Sequence, residues 1–310
     1  MKNLDFESAI CPVCRGDVSS IKYSVQYFND DILPQIGVEP PYPQCHVVQC
    51  RRCLHHYASP QLSDLALDLY YTRLNSEYYI ESDKSYDRLL GQHIKIVNEV
   101  AKRKPDGGRL LEIGCGYGYL LSLFDKTKWD CVGVEPFVEA CQFASTKLGL
   151  SVINGYLDAF TFTEKESFDI IMLFDVMEHL KDSVSMTELV KYYLKPGGVL
   201  ILGTGDIGSL NAKFGKGQWA YLTLREHLSF FSKDSINYLL NDFNSVDIIK
   251  VPYEGSRFKN SMRLLHNFFF RGTYNMIQRF QYPLTKFKVT RFQYVRYPLS
   301  NDHMIVIAQK

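Results

Sequence analysis

From Arg109 onward the chain alternates between apolar runs of strand length and mixed stretches with helical spacing. The runs are Leu110–Ile113, Cys131–Val134, Ser151–Asn154, Phe168–Phe174 and Val199–Thr204, followed later by Ser245–Val251 and Met304–Ala308. Strands alternating with helices through Thr204 predict a parallel sheet with helices on both faces, and ligands at the carboxyl ends of its strands. Upstream, Leu89, Leu90, Ile94, Ile96, Val97 and Val100 predict a helix between Ser85 and Lys104, ended by Pro105-Asp106-Gly107-Gly108. An earlier helix starts behind Ser63, a candidate N-cap, and carries Leu65, Leu67, Leu69, Tyr70, Tyr71 and Leu74. Its tyrosines are read as packing on the main domain or roofing a site. Ser232 caps a further helix running to Leu240.

The first run ends in Gly114, Gly116 and Gly118, then enters a helix-like pattern at Tyr119-Leu120-Leu121. Such a turn lets a nucleoside approach the backbone where a side chain would block it. Glycine-rich turns also occur where a helix packs closely on a strand. Glu135, closing the second run, is spaced to accept hydrogen bonds from both hydroxyls of a ribose.

Two C-x-x-C knuckles, Cys11-Pro12-Val13-Cys14 and Cys50-Arg51-Arg52-Cys53, each offer two thiolates. Together they complete the four-sulfur shell that zinc takes in structural sites; buried small side chains or a reactive dithiol are the competing readings. Cys45, His46, His55 and His56 lie nearby and are read as bystanders, because four thiolates close the shell.

The succession of elements resembles the class I S-adenosylmethionine-dependent methyltransferases. Glu112 precedes the G-x-G-x-G turn and Glu135 stands at the place of the ribose acid. Phe168-Asp169 opens the fourth strand with Glu178-His179 after it, and Leu194-Lys195-Pro196-Gly197-Gly198 precedes the fifth. An NAD-dehydrogenase reading fits worse, since the turn is not G-x-G-x-x-G. The resemblance implies an α/β fold with a Rossmann-like seven-stranded sheet, helices on both faces, an antiparallel last strand and S-adenosyl-L-methionine as cofactor. It places Glu112 beneath the methionine amino group and Gly114, Gly116 and Gly118 under ribose and methionine. Glu135 falls on the ribose hydroxyls, Tyr156 and Leu157 beside the adenine, and the backbone around Phe174 at the amino-acid end.

The knuckles, followed by Tyr57-Ala58-Ser59-Pro60, are similar to the zinc ribbon that precedes this domain in many bacterial sugar and natural-product methyltransferases. Leu54 stands where that group usually has glycine, which predicts a different turn in the second knuckle. The implied organisation is a zinc ribbon over 1–60, a helical connector over 61–104 and a methyltransferase domain over 105–310. That domain carries an insertion over 252–302.

Net charge is +1 over 310 residues, yet Ser256 to Asn301 holds nine Lys or Arg and no acid. Phe258, Met262, Leu265, Phe269 and Met276 recur there at helical spacings. The insertion is read as a lid, a membrane-surface helix or a grip on an anionic partner, with the membrane contact placed at an anionic inner leaflet. The start of the sequence lacks the apolar core of a signal peptide and no stretch is long enough to span a membrane, so a cytoplasmic protein is expected.

Acceptor activation needs a group that takes a proton near neutral pH. His227 is the first candidate base, oriented by Glu226, and His179 the second. The Glu226-His227 pair resembles that of sugar C-methyltransferases, but those carry a further domain after the last strand, so oxygen is the expected acceptor atom. The expected function is methylation of a sugar hydroxyl on a nucleotide-, lipid- or polysaccharide-linked acceptor. The alternatives are RNA methylation, disfavoured because the basic stretch is remote from the cysteines, and a non-enzymatic zinc-ribbon adaptor.

Overall fold

Two main sheets, of seven and four strands, and one two-stranded ribbon make up the described body. The computed structural model describes residues 6–25, 32–82, 86–219, 221–224, 226–251 and 301–310. In chain order these form β1 (Phe6–Glu7), β2 (Ser19–Val25), β3 (Cys45–Cys50), β4 (His56–Ser59), β5 (Gln61–Leu62), α1 (Asp64–Ser82), α2 (Tyr86–Arg103), β6 (Gly108–Ile113), β7 (Trp129–Glu135), α3 (Val138–Leu148) and β8 (Ser151–Asn154). There follow β9 (Phe168–Phe174), α4 (Ser183–Tyr193), β10 (Leu194–Gly205), α5 (Leu210–Gly215), β11 (Ser229–Phe230), α6 (Lys233–Leu239), β12 (Ser245–Val251) and β13 (His303–Gln309). The basic insertion, and with it the lid, membrane and anionic-partner readings, lies outside the described residues up to position 300. Among the described residues no helix is long and apolar enough to cross a membrane.

The larger sheet has the order β12-β13-β10-β9-β6-β7-β8, parallel except for β13, which runs antiparallel to both neighbours. Strand alternation sorts its side chains into two cores. Val132, Leu111, Ile171, Leu200 and Ala308 lie in register across five strands and face α4 and α6. The adjacent row of Leu110, Ile170 and Val199 faces Ile96 and Val100 of α2 and Ala144 of α3. Helices therefore cover both faces of the seven-stranded Rossmann-like sheet, as expected.

The helix expected after Gly118 is instead a single 3-10 turn, Leu121–Leu123. Asp125 closes it with an Asx turn, its carboxylate accepting from the Thr127 N–H at 2.9 Å, and the chain reverses at once into β7.

The smaller sheet has the order β11-β4-β3-β2. Three strands come from the cysteine-bearing segment; the fourth, β11, comes from far down the chain and pairs Ser229 with Tyr57 and Phe230 with His56. Cys11, Val13, Cys50, Cys53 and Tyr57 belong to the same buried cluster as one face of the large sheet. An exposed Arg15–Asp182 ion pair at 2.9 Å also joins the two parts. Such a pair is worth about 0–1 kcal/mol. Each buried side chain of the shared core contributes roughly 1.5–3 kcal/mol, so apolar contact holds the parts together. The connector is packed as well, with Ala66 and Tyr70 of α1 buried against Leu33, Val38 and Leu62.

The two knuckles fold alike. Arg15 N–H donates to Cys11 C=O and Leu54 N–H to Cys50 C=O, while the Cys11 and Cys50 N–H groups donate to the carbonyls of Gly16 and His55. Arg15 (φ 55°) and Leu54 (φ 61°) both adopt the left-handed conformation. Leu54 thus makes the turn glycine would make, and the difference expected there is absent. An L-residue in this region costs about 1–2 kcal/mol, and the Leu54 side chain is 50% exposed. Leu54→Gly is expected to stabilise the protein by up to about 1 kcal/mol after the unfolded-state entropy of glycine is counted. A rise of a few degrees in a thermal melt checks it.

Candidate active site

A cavity of about 720 Å³ opens at the carboxyl ends of β6, β7, β8 and β9, where a ligand is expected in a sheet of this kind. Its far side is closed by α1, by Tyr221, Thr223, Glu226 and His227, and by Asp302-His303 at the entry to β13.

The three glycines after β6 divide their work. A Cβ at Gly114 would sit 2.5 Å from Val176 Cγ2, and one at Gly118 would sit 2.5 Å from Leu150 Cδ1. At those two positions packing alone excludes a side chain, and Gly114 also lines the cavity. Gly116 (φ 53°) faces open space within the cavity wall, so close approach of a ligand belongs to it. Gly155, after β8, also faces open space in the wall; its place behind a short strand could have flagged it in the sequence.

Glu135 ends β7 and is 3% exposed. Its Oε2 accepts from Gly116 N–H at 2.8 Å and its Oε1 from Phe137 N–H at 3.0 Å. Burial raises its pKa, and these two bonds oppose the rise. Each oxygen keeps lone-pair capacity toward the cavity, which suits a vicinal diol. Glu112, 4% exposed, lies behind the wall with Oε2 unpartnered. Burial raises its pKa well above the carboxylate range and the charge of Glu135 adds to the rise. A buried carboxylate oxygen without a partner is costly, and a bound ammonium group near it would offset that cost. Gly116, Glu135 and the orphaned Glu112 oxygen thus fit an aminoacyl nucleoside such as S-adenosylmethionine.

Leu157 is buried in the wall, while Tyr156 stands at the rim, 66% exposed. The Phe174 ring packs over Gly203, away from the cavity. The wall at this point is formed by the next two residues, Asp175 and Val176, and Asp175 is itself left-handed (φ 52°).

The two histidines are brought together, with ring centroids 4.9 Å apart. His179 ends a 3-10 turn, Met177–His179, directly after β9, and its Nδ1 lies 2.9 Å from the Glu226 carbonyl and 2.9 Å from the Tyr71 hydroxyl. Tyr71, on α1, also donates to the Glu226 carbonyl at 2.8 Å, so one tyrosine of the connector does roof the cavity. His227 Nδ1 lies 2.8 Å from the Tyr221 carbonyl. Carbonyls only accept, so each Nδ1 carries the proton and each Nε2 keeps a lone pair. Orientation of His227 therefore comes from the Tyr221 carbonyl, and Glu226 contributes its own carbonyl to His179. Burial lowers the pKa of both imidazoles, that of His227 to about 3 with His179 adding to the shift. Glu178, fully buried beside them, accepts from the Thr204 hydroxyl at 3.1 Å and from the Tyr221 hydroxyl. Nothing in local periodicity marks Tyr221, and the sequence marks Glu178 only through the Glu178-His179 pair.

The smaller sheet positions this half of the cavity. Leu228 N–H donates to Glu178 C=O at 2.7 Å and Leu228 C=O accepts from Ala58 N–H at 2.9 Å, immediately before β11 joins β4.

Cys11, Cys14, Cys50 and Cys53 converge, with all four sulfurs within 4.8 Å of one another. The Cys11–Cys53 and Cys14–Cys50 sulfurs are 3.4 Å apart. A tetrahedron of zinc–sulfur bonds of about 2.3 Å has edges of about 3.8 Å, so small adjustments would seat the ion. The Cys53 thiol, hydrogen-bonded to Cys11, draws Cys11 down to about 5, while burial pushes Cys14 up to about 11. Cys45 donates to the Pro60 carbonyl and His46 pairs with Ser24, which leaves both outside the tetrad. His55 is also outside it, packed against Phe231 with a ring-centroid distance of 4.8 Å.

A family model described as a methyltransferase domain matches residues 85–247. A ubiquinone biosynthesis O-methyltransferase of Nitrobacter winogradskyi is 28% identical over 149 residues, 43% of this chain and 57% of that protein. One from a Bradyrhizobium species is 34% identical over 103 residues, 32% of this chain and 40% of that protein. The chain thus spans little more than half the length of the first of these relatives. A solved SAM-dependent methyltransferase of Thermotoga maritima, described as a possible histamine N-methyltransferase, is 18% identical, with 77% of this chain and 99% of that one covered and a TM-score of 0.49.

Proposed function

The chain belongs to the methyltransferase-domain family, and from that premise we propose that it moves a methyl group from S-adenosylmethionine to a hydroxyl oxygen of a small molecule. The observation that carries this reading is the continuity of the cavity, with Gly116 and Glu135 at one end and His179 and His227 at the other. When bound, S-adenosylmethionine supplies a methyl group on a good leaving group. Glu135 holds the ribose hydroxyls, and Glu112 stands behind the amino-acid end, where a bound ammonium group would favour its charged form over the neutral one that burial favours. On the opposite side, His227, with His179 beside it, stays neutral at physiological pH because burial lowers its pKa, and its Nε2 lone pair accepts the acceptor hydroxyl's proton only as the methyl group transfers. The four cysteines hold one zinc ion with no open coordination position, a structural role.

A sugar hydroxyl is the first acceptor class, supported by the resemblance of the knuckles to those of sugar methyltransferases and by the polar groups of Asp68, Thr223, Glu226 and Asp302 around the far side of the cavity. A phenolic hydroxyl is the second, supported by the names of the curated relatives and by Leu67, Leu180 and Met186 in the same wall. Mass spectrometry of labelled methyl transfer into nucleotide-sugar, glycolipid, hydroxylated aromatic and RNA acceptors separates them. Label on a sugar oxygen supports the first and label on a ring oxygen the second; label on RNA alone would overturn both.

Glu135→Ala removes a charge-assisted acceptor of a class worth about 1.5–3 kcal/mol. S-adenosylmethionine affinity, read by calorimetry, is expected to fall at least about tenfold. Unchanged affinity would place the ribose elsewhere.

A further inference from the structure

Behind the stretch of cavity wall formed by His179 and His227, one carboxylate oxygen of the fully buried Glu178 and one ring nitrogen from each histidine all lie within 4.8 Å of one another. The groups behind them are those that commonly orient ligating side chains. Each imidazole has its Nδ1 on a backbone carbonyl, Glu226 for His179 and Tyr221 for His227, which leaves the Nε2 lone pairs to be shared. The carboxylate is steadied in turn by the hydroxyls of Thr204 and Tyr221. Two neutral imidazoles and one carboxylate form a three-membered ligand set, bordered by a cavity large enough to bring further ligands to the same ion.

We propose that Glu178, His179 and His227 hold a divalent cation of the manganese, cobalt or zinc class, with open positions that take the acceptor's hydroxyl oxygen. Nitrogen donors in the majority favour such ions over magnesium or calcium, which prefer oxygen throughout. The set also differs from the closed all-sulfur tetrad in leaving coordination positions open. A hydroxyl on the cation releases its proton to water at lower pH than a free hydroxyl does, so with the ion bound His227 serves as a ligand in place of the base. The oxygen then forms its bond to the methyl carbon as the carbon–sulfur bond breaks, and a neutral thioether leaves. No oxidant or reductant is needed. This acceptor role rests on the proposed methyl transfer; ion binding does not.

The full zinc-loaded chain is titrated with Mn²⁺, which avoids thiolate sites, and free Mn²⁺ is followed by electron paramagnetic resonance. Saturable uptake of one Mn²⁺ per chain is expected. In His227→Ala, and independently in His179→Ala, affinity should fall at least tenfold, while S-adenosylhomocysteine affinity measured on the same samples certifies an intact fold. Failure of Mn²⁺, Co²⁺ and additional Zn²⁺ to bind stoichiometrically at millimolar concentration would overturn the proposal. So would Mn²⁺ binding at full affinity in both histidine variants. Ion uptake without S-adenosylhomocysteine binding in the wild type would keep the cation site and remove the methyltransferase reading.

Discussion

Turnover of His227→Ala is expected to fall about 10²–10⁴-fold, the range set by loss of a positioned proton-transfer group. S-adenosylmethionine affinity should stay nearly unchanged, because Gly116 and Glu135 lie at the other end of the cavity. The half-buried ring is held by one bond, from Nδ1 to the Tyr221 carbonyl, and lies 4.2 Å by centroid from the Tyr221 ring. Its removal takes away the Nε2 lone pair while the large sheet keeps its contacts. Single-turnover kinetics with saturating cofactor measure the step directly. Near-normal turnover would reduce His227 to a packing residue.

Stripping the metal from the cysteine tetrad, or substituting Cys50 and Cys53 by serine, is expected to abolish turnover by a different route. Structural zinc sites in small peptides are worth roughly 10–16 kcal/mol of apparent binding free energy near pH 7, as much as the whole stability of an ordinary domain, about 5–15 kcal/mol. Without the ion, the two knuckles lose their direct link and are joined chiefly through the pairing of β2 with β3 and the shared apolar core. The damage should reach the histidines, because Leu228 is bonded to Ala58 and β11 is paired to β4 two residues after His227. Elemental analysis should find about one zinc per chain in the tetrad. On its removal, hydrogen exchange should rise together in residues 45–59 and 221–230. If exchange stayed protected while chemistry vanished, the tetrad would be catalytic and this account reversed.

The large sheet was legible because its central strands β9, β10 and β13 carry long apolar runs, so neither helix spacing nor a half-exposed pattern competes with them. Glu135 and the four cysteines were legible for a related reason: their chemistry requires particular residue types at particular spacings. Less legible were features decided by packing. Nothing local distinguishes Gly118, which accommodates Leu150, from Gly116, which faces the cavity. The pattern after Gly118 looks helical, but only ten residues separate it from Trp129 and the Asx turn at Asp125 reverses the chain first. Tyr221 reaches Glu178 across more than forty positions, and β11 is a two-residue strand with no periodicity to detect. That last element also means that a boundary at residue 60 divides the chain but not the smaller sheet.

The shared sheet bears on how the protein is made. During synthesis from the amino terminus, β2, β3 and β4 leave the ribosome together and can close around zinc, but β4 has no outer neighbour until Ser229 and Phe230 arrive. At ~5–20 residues per second, the intervening roughly 170 residues leave that edge open for about 10–30 seconds. An unpaired edge is a template for pairing with another chain, so the nascent protein has its greatest need of a chaperone between the completion of the tetrad and the emergence of β11.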